Sequence, residues 1–200
     1  MNYLAHAFLS FNEPSILVGN MMGDFVKRKN DKHYDTDIQH GIMLHRFIDH
    51  TTDEHALVHA AMNLFKPTFH LSNGVFVDIF FDYFLANNPA YFSEETLFTF
   101  TENVYQKLTS YQSIMNEEML TYFKYMKTHN WLYNYRTLEG ISKSVRGICK
   151  AYPRLGDAEM AIDIFLKNKE KLNELFDEFF PFLVEKTKEK LMLIRHTAAQ

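Results

Sequence analysis

Apolar and polar positions recur at helical spacing along most of this chain, whereas strict alternation of the two is weak everywhere. Proline, glycine and asparagine clusters separate the periodic segments. The pattern therefore predicts an all-α fold, a compact bundle of about seven to eight helices. The predicted helical segments are about 14–25, 36–65, 75–86, 94–108, 114–128, 137–151 and 156–180.

The breaks between these segments carry their own predictions. Pro67 should end the long second helix, which Thr51 and Thr52 bend or break. Pro181 should kink or end the last helix. We expect residues 1–200 to form a single domain, with 156–195 a C-terminal helical extension packed on it.

The stretch GVFVDIFFDYFLA, residues 74–86, is unusual because it is apolar on every helical face yet carries Asp78 and Asp82. A helix of this kind is normally buried. Two unpaired carboxylates in such a place would cost several kcal/mol each. Arginine partners, a helix cap, a metal ion or a wet cleft would each compensate them.

Other apolar segments show the same feature. LHRFID, residues 44–49, carries His45 and Asp49 one helical turn apart. Asp24 lies in GNMMGDFVK, where small residues allow another helix or a ligand to approach closely, and His6 lies in YLAHAF. Four apolar segments thus each contribute Asp or His.

Taken singly, each of these residues fits an ordinary role in an ion pair or a satisfied core. Cancelling all of their charges by ion pairs, however, would need more buried arginine than the chain supplies nearby. A shared divalent metal ion compensates several carboxylates at once. Carboxylate with imidazole favours Mg²⁺, Mn²⁺ or Fe, and the absence of cysteine from this set of candidate ligands argues against structural zinc. Such a centre is typical of phosphoester hydrolysis.

Composition narrows the function classes. The chain has 200 residues, is 46% apolar and carries a net charge of −4, so it does not look like a nucleic-acid binder. One cysteine, Cys149, excludes an internal disulfide framework. We expect no signal peptide and no membrane span, and therefore a cytoplasmic protein.

Several longer motifs resemble the acyl carrier protein phosphodiesterase family. The similarity runs in order from residue 2 to about residue 155. The motifs are NYLAH (2–6), GNMMGDFVK (19–27), GIMLHRFIDHTTDEH (41–55), VDIFFDYFLA (77–86) and WLYNYRTLEGI (131–141). The resemblance implies an HD-domain-like, metal-dependent helical enzyme. It would hydrolyse the phosphodiester that joins 4′-phosphopantetheine to a serine of holo-acyl carrier protein.

The resemblance also implies roles for individual residues. Its His and Asp positions match the residues singled out above, namely His6, Asp24, His45, Asp49, Asp78 and Asp82. The expected metal is Mn²⁺, with Mg²⁺ or Fe²⁺ as alternatives, and its expected ligands are Asp24, His45, Asp49 and Asp78.

His6 or Asp82 would serve as a further ligand or as a proton-transfer group. Arg46, Lys27 and Arg28 are candidate substrate-binding residues, the last two because a basic run follows Asp24. An acidic carrier protein would be attracted by such a run. The sequence leaves the oligomeric state open.

One region differs from the family pattern. The chain has Tyr83 where the family commonly has His, and Asn87 and Asn88 where Arg and His often stand. Two alternatives therefore stay open at this point. One is a phosphohydrolase acting on a nucleotide or another small phosphoester, and the other is a helical carrier-protein or metal-binding module without turnover.

Overall fold

The protein is all-helical in the computed structural model, which describes residues 1–198, leaving aside the side chains at 28, 71, 197 and 198. Within these residues there are α-helices and short 3₁₀ turns but no β-strand, as predicted. The α-helices are α1 Tyr3–Phe8, α2 Pro14–Met21, α3 Thr36–Asp53, α4 Ala56–Phe69, α5 Asn73–Asn87, α6 Glu94–Ser110, α7 Glu117–Thr128, α8 Trp131–Asn134, α9 Leu138–Ala151, α10 Ala158–Lys167 and α11 Lys169–Ala198.

The described helices outnumber the seven or eight predicted, because two short ones were missed and two long segments are divided. The segment 36–65 breaks at Glu54 and His55 into α3 and α4. Pro67 lies inside α4, which ends only at Phe69, where the next residue adopts a positive φ of 43°. The predicted stop at Pro67 is therefore wrong by two residues.

The prediction for Pro181 is also wrong if the helix is taken to end there, since α11 continues to Ala198. Proline removes one backbone donor and crowds the preceding turn. Packing on both sides of it outweighs this cost, because Phe179, Phe180 and Leu183 are fully buried. The helix contacts α3, α4 and α5, so the C-terminal segment supplies part of the core.

Helix α5 lies at the centre of the molecule, in contact with α1, α4, α9 and α11. Its apolar residues face neighbours in all directions, and Phe76, Phe80 and Phe81 are fully buried. This explains why the helix shows no polar face. It also means that its two aspartates can only face other helices.

Helices α2 and α3 approach each other at backbone distance. A Cβ added to Gly19 would lie 2.1 Å from the carbonyl oxygen of Ile38, and one added to Gly41 would lie 2.4 Å from that of Ile16. Only glycine permits this contact. The small residues therefore allow the close approach that the sequence predicted, and α2 delivers the following 3₁₀ turn, Gly23–Phe25, against α3.

The described helices include none with both the length and the apolar composition needed to cross a bilayer.

Candidate metal centre

The position of His6 is set by an aspartate beneath helix α1. Asp82 is fully buried and accepts hydrogen bonds from the backbone N–H of Leu4 at 2.7 Å and of Ala5 at 3.0 Å. A carboxylate there satisfies donors that the first turn of a helix leaves unpaired. Burial raises the pKa of Asp82 to about 7, even though these two N–H groups act in the opposite direction.

A buried asparagine fixes the imidazole of His6. The Asn20 side chain donates through Nδ2 to the carbonyl of His6 at 2.9 Å and to Ser10 Oγ at 3.0 Å. Its Oδ1 is left to accept, so His6 Nδ1 donates to it at 2.8 Å. This tautomer directs the lone pair of His6 Nε2 toward Asp49 Oδ1 and the carbonyl of Met1, each 3.1 Å away.

A second imidazole stacks on the first. The rings of His6 and His45 lie 4.3 Å apart at an angle of 22°. His45 Nε2 is 3.0 Å from Asp49 Oδ2 and 3.2 Å from Asp24 Oδ1. Gly23 makes room for this ring, because a Cβ there would lie 2.1 Å from His45 Cγ.

The electrostatics of the two histidines differ. Burial and the neighbouring His45 lower the pKa of His6. Burial also acts to lower the pKa of His45, but hydrogen bonds to Asp24 and Asp49 outweigh it and raise the value to about 9. The hydrogen bond from His45 lowers the pKa of Asp24. The pKa of Asp49 is lowered as well, since the two imidazoles outweigh its own burial.

Asp78 approaches the same place from α5. The N-terminal ammonium of Met1 lies 3.1 Å from Asp78 Oδ1 and 3.7 Å from Asp49 Oδ1. Burial of this amine is outweighed by the two carboxylates, which raise its pKa to about 10. Burial raises the pKa of Asp78, with the ammonium partly offsetting it. A positive charge is thus held between these two carboxylates.

The residues present fit a divalent cation. One atom each of His6, His45 and Asp49 lies within 4.8 Å of the others. The lone pair of the neutral His6 faces carboxylate and carbonyl oxygens, an arrangement that a cation stabilises. Imidazole nitrogen with carboxylate oxygen suits Mn²⁺, Fe²⁺ or Zn²⁺ better than Ca²⁺.

The structure brings most of the predicted site residues together. His6, Asp24, His45, Asp49 and Asp78 all line one cavity of about 310 Å³. The structure thus explains both aspartates of α5. Asp78 faces the cavity and the ammonium group of Met1, and Asp82 caps α1.

Other predicted residues lie elsewhere. Asp82 is outside the cavity wall formed by the described residues, and both of its oxygens bind α1. The guanidinium of Arg46 binds Asp31 at 2.5 and 2.9 Å and the carbonyl of Val26 at 3.1 Å, and it does not line the cavity. Lys27 is exposed beyond the 3₁₀ turn. The side chain of Arg28 lies outside the described part of the chain.

The positions that depart from the family pattern also lie away from the cavity. The hydroxyl of Tyr83 accepts a hydrogen bond from Lys169 Nζ at 2.7 Å, on the side of α5 that faces α11. The side chain of Asn88 donates a hydrogen bond to Asp177 of α11 at 2.8 Å. Tyr83 and Asn88 are therefore not part of the cavity lining.

Several residues in or behind the cavity were not assigned from the sequence. Asn20, which holds His6 from behind the cavity wall, could have been, since an amide inside an apolar helix needs partners. Tyr3 and Tyr122 line the cavity, with ring centroids 5.3 Å apart. Tyrosines are common in cores, so nothing in the pattern distinguished these two.

Comparison with known proteins identifies relatives over nearly the whole chain. The family profile described as acyl carrier protein phosphodiesterase matches residues 1–183. A protein named acyl carrier protein phosphodiesterase from Photorhabdus laumondii is 29% identical over 195 residues, covering 95% of this chain and 96% of its own. One of the same name from Enterobacter sp. strain 638 is 28% identical over 191 residues, covering 95% and 99%. No solved structure matches the chain.

Proposed function

Because this chain belongs to the acyl carrier protein phosphodiesterase family, we propose that it hydrolyses the 4′-phosphopantetheine group from holo-acyl carrier protein. The bond cleaved is the phosphodiester to the carrier serine, and the products are apo-carrier protein and free 4′-phosphopantetheine. The observation that carries this proposal is the meeting of His6, His45 and Asp49 at one cavity with two further carboxylates. A cytoplasmic location and a link to fatty acid biosynthesis go with this substrate.

We propose that Asp24, His45, Asp49 and Asp78 hold the metal, with His6 as a further nitrogen ligand. Mn²⁺ is the expected ion. A bound divalent ion supplies a polarised phosphoryl oxygen and a water of lowered pKa. The role of His6 as ligand rather than proton carrier is supported by its hydrogen bond to Asn20, which commits Nδ1 and leaves Nε2 free toward the cavity.

The remaining residues act by positioning. Asp82 fixes the first turn of α1 and Asn20 fixes the ring of His6, so the imidazole has little freedom to turn. Such supporting contacts typically change metal affinity or activity 10–100-fold when they are removed. Asp53, one turn beyond Asp49, is exposed but lines the cavity, and partial desolvation there raises its pKa. It is a candidate proton donor to the serine leaving group.

The partner is an acidic protein, so positive charge near the cavity supports the assignment. Lys27, Lys29 and Lys32 are exposed, and they follow Phe25, whose ring lies 5.4 Å from that of Tyr122 in the cavity wall. Steering by such a run raises the association rate.

The test is a mass measurement of the carrier protein. Holo-acyl carrier protein incubated with this protein and Mn²⁺ should lose the mass of the 4′-phosphopantetheinyl group, which is that of free 4′-phosphopantetheine less one water, and a chelator should stop the reaction. Hydrolysis of a nucleotide or another small phosphoester supplied to the protein, without any change in the carrier protein, would contradict the proposal. Binding of the carrier protein without a mass change would indicate a non-catalytic module.

A further inference from the structure

A second concavity, here called the α7 groove, lies beside the metal cavity. It is an open groove of about 1050 Å³, and its lining includes Tyr122, Tyr125, Trp131 and Asn116. Tyr122 also lines the metal cavity, so the two spaces are neighbours on either side of this ring. A molecule that has its phosphate at the metal centre and passes Tyr122 would enter this groove.

The aromatic wall is already in place. Trp131 meets Tyr122 edge to face at 5.2 Å and 88°, and meets Tyr125 at 5.5 Å and 79°. These contacts are of the favourable T-shaped kind. Tyr125 is nevertheless 56% exposed, and a large aromatic left open beside a cavity is a common feature of binding sites.

The charges at the groove indicate what it can bind. The lining includes two exposed glutamates, Glu117 and Glu118, and one exposed lysine, Lys124. This local charge opposes an acidic protein surface. The negative charge does not repel a neutral ligand. The aromatic faces and hydroxyl groups of the groove suit a neutral chain that carries amide groups.

We propose that the α7 groove receives the pantetheine arm of the substrate while the phosphodiester lies at the metal centre. This rests on the proposed function. The arm is neutral and flexible and carries two amides, so it meets both the apolar faces and the phenol groups of the wall. The carrier protein then lies on the side of the exposed lysines that follow Phe25, whose carbonyl accepts a hydrogen bond from Asn116 at 2.8 Å.

The chain offers a direct probe, because Trp131 is its one tryptophan. Titration of the metal-free protein with pantetheine, which has no phosphate, should change the Trp131 emission in a saturable way. Tyr125→Ala should weaken this binding about tenfold, measured in parallel by calorimetry because the substitution also changes the surroundings of the tryptophan. Phe98→Ala is the matched control, since Phe98 is an exposed aromatic on α6 outside the groove and is 48% exposed.

With holo-acyl carrier protein, Tyr125→Ala should raise KM about tenfold relative to Phe98→Ala. Saturable pantetheine binding that Tyr125→Ala weakens supports the inference even if the carrier protein is not hydrolysed, in which case the proposed function alone fails. Hydrolysis with an unchanged KM in Tyr125→Ala, and no response to pantetheine, overturns the inference and leaves the proposed function standing. An equal Trp131 response to apo-carrier protein, which lacks the arm, also overturns it.

Discussion

Each carboxylate of the proposed metal centre is in contact with a positively charged or nitrogen-bearing group. His45 touches two of them, Asp24 and Asp49, while Asp78 meets the ammonium of Met1. His45 is only slightly exposed, and its Nδ1 has no hydrogen-bond partner within the described residues. Its orientation therefore depends on the two carboxylates, on the stacked ring of His6 and on the space that Gly23 leaves.

Removal of a proposed ligand should abolish turnover. His45→Ala or Asp49→Ala should lower phosphodiesterase activity by more than about a hundredfold, since loss of even a supporting contact costs 10–100-fold. Activity on holo-acyl carrier protein with Mn²⁺ checks this, and circular dichroism checks the fold. His50→Ala and Asp37→Ala are matched controls, because both side chains are exposed on the same helix. Full activity in His45→Ala and Asp49→Ala would show that the site is misassigned.

At this scale the sequence predicted which residues meet but not what each one does. Asp24, His45, Asp49 and Asp78 were found because a charge in an apolar segment needs compensation. Asp82 met the same criterion, yet it caps α1. A carboxylate that binds backbone N–H groups and one that faces a cation look identical in a sequence. Only the position of the neighbouring helix distinguishes them.

At the scale of elements, α1 depends on α5 through Asp82, and this contact should make stability depend on pH. The pKa of Asp82 is about 7 in the fold, where burial raises it from 3.8. Between about pH 4 and pH 7 the folded state therefore holds a proton that the unfolded chain has lost. The free energy of unfolding should fall across this range as pH rises.

Asp82→Asn removes this titration. The free energy of unfolding of both proteins can be measured in urea at pH 5 and pH 8. From pH 5 to pH 8 that of wild type should fall relative to that of Asp82→Asn, because all other groups titrate in both proteins. A constant difference between the two proteins would show that Asp82 is ionised throughout. Asp82→Ala should in addition cost about 0.5–2 kcal/mol, as does the loss of other helix caps.

The contact of α2 with α3 allows a sharper test, because the chain contains a matched control. A Cβ at Gly19 or Gly41 would meet backbone atoms of the facing helix, whereas one at Gly147 in α9 meets nothing within 4 Å. Gly19→Ala and Gly41→Ala should each destabilise the fold by more than 1 kcal/mol, because the backbones must separate. They should also weaken Mn²⁺ binding, since the turn that carries Asp24 would move away from His45.

Gly147→Ala should instead stabilise α9 by about 0.5–1 kcal/mol, because alanine loses less conformational freedom in a helix. Urea denaturation of the three variants and a Mn²⁺ titration followed by electron paramagnetic resonance measure these effects. Equal stability of Gly19→Ala and Gly147→Ala would mean that the helices are not in backbone contact.

For the whole molecule, helical periodicity was sufficient to predict the fold class. It was not sufficient to place the ends of the helices. Pro181 is a strong local stop signal, yet α11 passes through it because Phe179, Phe180 and Leu183 are buried around it. Local rules describe what a segment prefers alone, and the free energy of packing in the core overrides them.

The molecule as a whole carries a net charge of −4, and the proposed partner is also acidic. Association should therefore depend on local positive charge, and Lys27 is the first exposed cation beyond the cavity wall. Lys27→Glu should lower kcat/KM on holo-acyl carrier protein severalfold at low ionic strength. Exposed charges are screened within about 8–10 Å at physiological salt, so the difference from wild type should shrink as salt is added. Lys66→Glu, an equal change on an exposed position of α4, should have little effect. Equal losses in the two variants would mean that only net charge matters, and no loss in Lys27→Glu would place the docking surface of the carrier protein elsewhere.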